Sequence, residues 1–231
     1  MVYNWLKKLQ NNLFPPRCLL CNADSKTEFD LCLGCCDDLP FQLHTCPRCA
    51  LPLQMNQLCG TCQKKPPAYT HCIAPFNYAP PLDYMIQQVK YSKKLAYARL
   101  LGELMSHQFN QPKITKPDII IPVPLHPKRI RERGFNQSLE LVRPIAKSLN
   151  IPIDYHSCQR IRHTPKQADL TATQRHENLK NAFQISKEID ASHVALFDDV
   201  MTTGTTVELL AKELITSGVE RVDVWVCARA G

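Results

Sequence analysis

Val194-Ala195-Leu196-Phe197-Asp198-Asp199-Val200-Met201-Thr202-Thr203-Gly204-Thr205-Thr206 is the stretch on which the reading of this chain turns. Four consecutive apolar residues predict a buried strand over 194–197, because a strand covered on both faces carries no polar alternation. Two acids follow, then a turn built from Thr202, Thr203, Gly204, Thr205 and Thr206. A helix is expected from about 207 to 217, closed by Gly218. The turn therefore falls at a helix N-terminus, where unpaired N–H groups and a partial positive charge collect. Gly204 allows close backbone approach and the threonines add hydroxyl donors, which together make a phosphate cradle. Asp198 and Asp199 would repel a bare phosphate. They suit a ligand with hydroxyls next to its phosphate, or a metal bridging it. Strand-end acids and a threonine capping cluster are each common alone; the full order of strand, acid pair, threonine–glycine turn and helix is far more specific.

Working outward, apolar runs and helical periodicities alternate. Ile119, Ile120, Ile121 and Val123 form another buried run, and further strands are expected at 73–78, 151–155 and 222–227. Leu82, Met85, Ile86 and Val89 share one helical face. Helices are also expected over 95–109, with Leu101, Leu104 and Met105 inward, and over 137–149. Residues 160–178 are polar and weakly periodic, which reads as a long loop of the functional kind. Strands alternating with helices imply an α/β fold, a mostly parallel sheet with helices on both faces. The texture changes near residue 72. Residues 1–72 are rich in Cys and Pro with apolar runs too short for a core, whereas 73–231 carry the α/β pattern.

Ten of the twelve cysteines precede residue 73. They include four CxxC pairs: Cys18 and Cys21, Cys32 and Cys35, Cys46 and Cys49, Cys59 and Cys62. Two such turns bring four thiolates onto one ion, so eight thiolates predict two structural zinc sites. Binding would be coupled to folding in a region with little core of its own. The first pair joining the second and the third joining the fourth is the preferred arrangement; an interleaved one stays open, and Cys36 could replace Cys35. Redox or disulfide chemistry fits one CxxC better than four. Cys227, in an apolar strand, reads as a small core residue.

The net charge of +7 fits an anionic partner. In residues 1–16, Trp5, Leu6, Leu9, Leu13 and Phe14 recur at helical spacing around Lys7 and Lys8. This predicts a short amphipathic segment, without the unbroken apolar run of an export signal. No stretch reaches the roughly 18 apolar residues of a spanning helix. The expected location is the cytoplasm, at most against the inner face of the membrane.

The 194–206 segment resembles the phosphoribosyl pyrophosphate (PRPP) signature of type I phosphoribosyltransferases. The resemblance implies that Asp198 and Asp199 meet ribose hydroxyls, that Thr202, Thr203, Gly204, Thr205 and Thr206 hold the 5-phosphate, and that magnesium bridges sugar and pyrophosphate. Ile121-Pro122-Val123-Pro124-Leu125-His126 then leads into Lys128, Arg129, Arg131, Arg133, Asn136 and Gln137, where that family carries its pyrophosphate loop. The run Arg133-Gly134-Phe135-Asn136-Gln137 is narrower and resembles competence proteins of the ComF type, which join this domain to an N-terminal zinc-ribbon module. Lys90-Tyr91, Thr164-Pro165, Gln167, Arg175, Asn178 and Phe183 match the same group. The implied role lies in natural transformation: binding single-stranded DNA at the cytoplasmic side, with a PRPP-like ligand and uptake-machinery proteins as partners. Lys90, Lys93, Lys94, Lys128, Arg129, Arg131 and Arg133 are the expected backbone-neutralising cations. Phe135 and Tyr91 are the expected stacking groups, with Trp225 also considered although its strand position reads as core. Two other readings stand beside this one: a magnesium-dependent phosphoribosyltransferase with an unidentified acceptor, and a non-catalytic scaffold of an uptake complex.

Overall fold

The structure is a computed structural model that describes residues 16–162 and 182–231. Two short helices, α1 (Leu33–Asp37) and α2 (Gly60–Lys64), lie among the clustered cysteines. There follow strands β1 (Cys72–Ile73) and β2 (Phe76–Asn77), then helices α3 (Leu82–Ser92) and α4 (Leu95–Phe109). Strand β3 (Ile119–Pro122) leads into α5 (Pro127–Arg133) and α6 (Gln137–Leu149). Short strands β4 (Cys158–Arg160) and β5 (Phe183–Ile185) precede β6 (His193–Met201), α7 (Thr205–Thr216) and β7 (Arg221–Arg229).

The main sheet is parallel throughout, in the order β1-β7-β6-β3, with β2 continuing the β1 edge along β7. Strand period sorts its side chains onto two faces. Val194 and Leu196 of β6, with Val222, Val224 and Val226 of β7, pack under Val207, Leu210, Ala211 and Leu214 of α7. On the other face Trp225, 1% exposed, stacks on Phe109 of α4 at 4.4 Å between ring centres. Helix α6 lies against α4 and over β3 and β6. Helices thus cover both faces, as the alternating pattern predicts.

Three local expectations change. The strand expected at 73–78 is split at Pro75, which has no N–H to give to a ladder. Residues 151–155 make only one parallel bridge, Ile153 to Ile120. There Pro152 lacks a donor, and the Asp154 side chain accepts from His156 N and Ser157 N, turning the chain away. The 160–178 stretch begins inside β4, which pairs antiparallel with β5 and brings Cys158 and Phe183 into the core; residues 163–178 lie outside the described residues. So does the amphipathic segment at 1–15.

Packing divides the chain into compact units of Met1–Leu39 and Pro40–Gly231. Composition changes at residue 72, but residues 40–72 belong by contact with the α/β unit. Ala50 is part of its main core, and Cys72 N bonds Pro47 O at 3.0 Å.

Candidate phosphate site and metal centres

The eight CxxC cysteines form two groups, Cys18, Cys21, Cys32 and Cys35, then Cys46, Cys49, Cys59 and Cys62, with all ligand atoms of a group within 4.8 Å of one another. Zinc–sulfur bonds of about 2.3 Å place tetrahedral sulfurs about 3.8 Å apart, so both groups fit a zinc ion. The sequential arrangement is the one found, and Cys35 rather than Cys36 completes the first group. The two groups repeat one local design. Cys18 N bonds Ala23 O and Asn22 N bonds Cys18 O; Cys46 N bonds Leu51 O and Ala50 N bonds Cys46 O. Asn22 and Ala50 both take positive φ, 61° and 53°, to close these knuckles. Cys32 and Cys59 begin α1 and α2. Burial opposes ionisation at Cys46, but the N–H groups of Cys59, Cys49 and Arg48 outweigh it and bring the thiol to about 7. The same contest at Cys18, won by the N–H groups of Cys32, Cys21 and Leu20, brings it to about 6. Each group therefore holds one cysteine close to the thiolate form that zinc takes.

At the C-terminal end of β6 the chain enters the threonine–glycine turn. Ligands of α/β sheets gather at this end of the strands. Thr202 and Thr203 are exposed, and Gly204, Thr205 and Thr206 are partly so. Gly204 has φ 77°, a left-handed conformation that an L side chain rarely adopts, so the backbone of the turn calls for glycine here. Helix α7 starts at Thr205, two residues earlier than expected, which puts Gly204 at its N-cap and the turn on its first N–H groups. The Thr203 and Thr205 hydroxyls lie 2.8 Å apart.

The two acids have different surroundings. Asp199 is buried, and its carboxylate meets Lys90 Nζ of α3 at 2.5 Å. Burial pulls the Lys90 ammonium down, and Asp199 overcomes this to hold it above its ordinary value. Asp198 is half-buried and accepts from Ser138 Oγ at 3.0 Å and from Asp199 N at 2.9 Å. Burial, reinforced by the Asp199 charge, pushes the Asp198 carboxyl up to about 7.

The basic run is a helix, not a loop. His126 caps α5 by accepting from Lys128 N, and Gly134 at φ 91° ends it. Lys128 and Arg131 are exposed, while Arg129 and Arg133 are partly covered. Arg133 donates to Gln137 Oε1 and lies over the Tyr91 ring, 6.0 Å from its centre. Asn136 caps α6 through Ser138 N and donates to Val123 O at 3.0 Å, tying the start of α6 to the end of β3. Gln137 is buried. Asn136 and Gln137 thus build the frame that lets Ser138 reach Asp198. Tyr91 is 70% exposed and Phe135 partly so, but Trp225 is core and cannot stack on a ligand. Thr164, Pro165, Gln167, Arg175 and Asn178 lie outside the described residues.

Two contributors escape the sequence reading. Ser138 follows the Arg-Gly-Phe-Asn-Gln run directly, and only three-dimensional contact marks it. Arg229, 8% exposed, donates from Nε to Cys49 O at 3.0 Å and from Nη1 to Met201 O at 3.1 Å, and also to Thr202 O. Its place directly after the apolar run Val224-Trp225-Val226-Cys227-Ala228, at the end of β7, is its one sequence signal.

Fold and site together define a class: an α/β protein with an exposed threonine–glycine turn at a helix N-terminus and two four-cysteine zinc-ribbon sites. Residues 9–63 match the family model described as "Double zinc ribbon domain". The chain is 35% identical over 228 residues to "Competence protein F" of Haemophilus influenzae, covering 95% of this chain and 99% of that one. It is 34% identical over 221 residues to "DNA utilization protein YhgH" of Salmonella typhimurium, covering 93% and 97%. A purine phosphoribosyltransferase structure from Pyrococcus horikoshii aligns at 18% identity and TM-score 0.30, covering 59% of this chain and 83% of that one. The chain belongs to the competence protein F (ComF) family.

Proposed function

We propose that this protein acts in DNA uptake or utilisation, holding single-stranded DNA by its sugar–phosphate backbone at turn 202–206. The observation that carries the reading is the exposed threonine–glycine turn on the N-terminus of α7, with the cation-bearing α5 following the neighbouring strand β3. The names of the relatives, a competence protein and DNA utilization proteins, support it. In this reading the turn takes one phosphate on its N–H and hydroxyl donors, as helix N-termini do. When the ligand is PRPP, Asp198 takes its ribose hydroxyls, with Asp199 and Lys90 fixing the carboxyl from behind; a deoxyribose within a DNA strand offers none, so DNA is held here through its phosphates. Lys128, Arg129, Arg131 and Arg133, with Lys93 and Lys94, neutralise neighbouring phosphates, and Tyr91 and Phe135 offer stacking faces. PRPP would occupy the same turn as its magnesium complex, the ion offsetting the pyrophosphate charge. The place of action is the cytoplasm beside the uptake machinery; among the described residues no helix is long and apolar enough to cross a membrane.

Fluorescence anisotropy of labelled single-stranded DNA at several salt concentrations, with and without PRPP and magnesium, tests this. Six neutralised phosphates give a log–log salt slope of about −4 for a single strand. PRPP with magnesium should compete. No DNA binding, together with pyrophosphate release when a nucleobase is added, would replace this reading with the transferase.

A further inference from the structure

Arg229 joins two sites that the sequence keeps far apart. Its Nε holds the carbonyl of Cys49, a ligand of the second cysteine group, and its Nη1 holds the carbonyls of Met201 and Thr202, which open the phosphate turn. In a trans peptide the C=O and N–H point in opposite directions. Drawing the Met201 and Thr202 carbonyls toward Arg229 therefore aims the N–H groups of Thr202 and Thr203 away from it. A second tie runs beside the first. Arg48, inside the Cys46–Cys49 knuckle, bonds Tyr69 O at 3.3 Å, and Ala68 N bonds Glu208 of the first turn of α7 at 2.9 Å. The hydroxyl of Tyr69 lies 3.7 Å from where a Cβ on Gly204 would stand. The knuckle thus grips the turn at its entrance and at the helix that follows.

We propose that the second zinc knuckle is a working part of the phosphate site, with Arg229 as the positioning residue that aims the turn's N–H donors. Zinc in the Cys46, Cys49, Cys59 and Cys62 group fixes Cys49 O, Arg229 carries that constraint to Met201 and Thr202, and phosphate binding becomes zinc-dependent. The proposal rests on turn 202–206 being a phosphate site.

The test uses the full chain, calorimetric titration with PRPP and magnesium, zinc analysis, and amide hydrogen exchange over 202–206. Arg229→Lys keeps the charge but loses the fork that joins the Cys49 carbonyl to those of Met201 and Thr202. It should weaken PRPP about tenfold or more, the scale of a lost charged hydrogen bond, and speed exchange at 202–206 while β3 and β6 stay protected. Cys59→Ser should lose one of two zinc ions and show the same two changes. Wild-type affinity and exchange in Arg229→Lys, or in Cys59→Ser after zinc loss, overturn the coupling. A wild type that fails to bind PRPP refutes the phosphate reading instead. The ligand-free exchange comparison then still decides whether Arg229 orders the turn: faster exchange upholds that link, and equal exchange removes it.

Discussion

Asp198 and Asp199 are chemically identical neighbours with opposite surroundings. Asp199 faces a lysine at 2.5 Å inside the fold. Asp198 has hydroxyl and amide donors, yet burial and its neighbour's charge push it up to about 7. An unfolded aspartate titrates near 3.9. Between about pH 4 and 7 the folded chain holds the extra proton here, so this group makes stability fall as pH rises through that window and adds no slope above it. Asp198→Asn removes the titration. Its melting temperature relative to wild type should rise steadily from pH 4.5 to 7.5, by about a constant step per pH unit, and level off beyond. A difference that stays flat across that range would show that Asp198 does not titrate where its surroundings place it. The position of the acid pair, at the end of a buried strand and just before the threonine–glycine turn, was legible from sequence. The division of labour was not, because Lys90 lies over a hundred positions away and was read as a ligand-facing cation.

Among the elements, legibility followed apolar periodicity. Helices α4 and α6 fall where their spacing placed them, because each turns a continuous apolar stripe toward the other and the sheet. Helix α5 was invisible to that signal: its one large apolar residue, Ile130, is 40% exposed, and its bounds come from Pro127, the His126 cap and Gly134. The strand expected at 151–155 failed for the converse reason, an apolar pattern whose Pro152 and Asp154 spoil the ladder. Close packing of α4 on α6 depends on Gly102. A Cβ there would sit 2.6 Å from Leu141 O and 2.7 Å from the Pro144 ring. Alanine at a helical glycine gains about 1 kcal/mol of propensity. Here the obstacle is backbone and a rigid ring, so overpacking of about 1–3 kcal/mol should win. Gly102→Ala should lower the urea midpoint of unfolding; a raised midpoint would mean the helices separate freely.

At the scale of the molecule, the two cysteine groups share a design but not a structural role. The first lies in the unit ending at Leu39, the second in the unit from Pro40 to Gly231. Composition hid this, because cysteine spacing looks alike throughout residues 18–62, while the boundary depends on which residues the knuckles touch. The second knuckle places fully buried Ala50 in the core under α7, bonds Cys72 N through Pro47 O, and receives Arg229 at Cys49 O. Zinc affinity at such a site is folding free energy. Removing a ligand from it should therefore unsettle the sheet, not merely the knuckle. In a Trp5→Phe background, leaving Trp225 as the sole indole reporter, Cys46→Ser and Cys18→Ser should each reduce bound zinc from two ions to one. Cys46→Ser should lower the melting temperature read at Trp225 by several degrees, since about 1 kcal/mol moves a domain of this size by roughly 2–4 °C. Cys18→Ser, in the other unit, should move it less. Equal shifts would show that the sheet does not distinguish the two metals, and the assignment of residues 40–72 to the α/β unit would lose its energetic meaning.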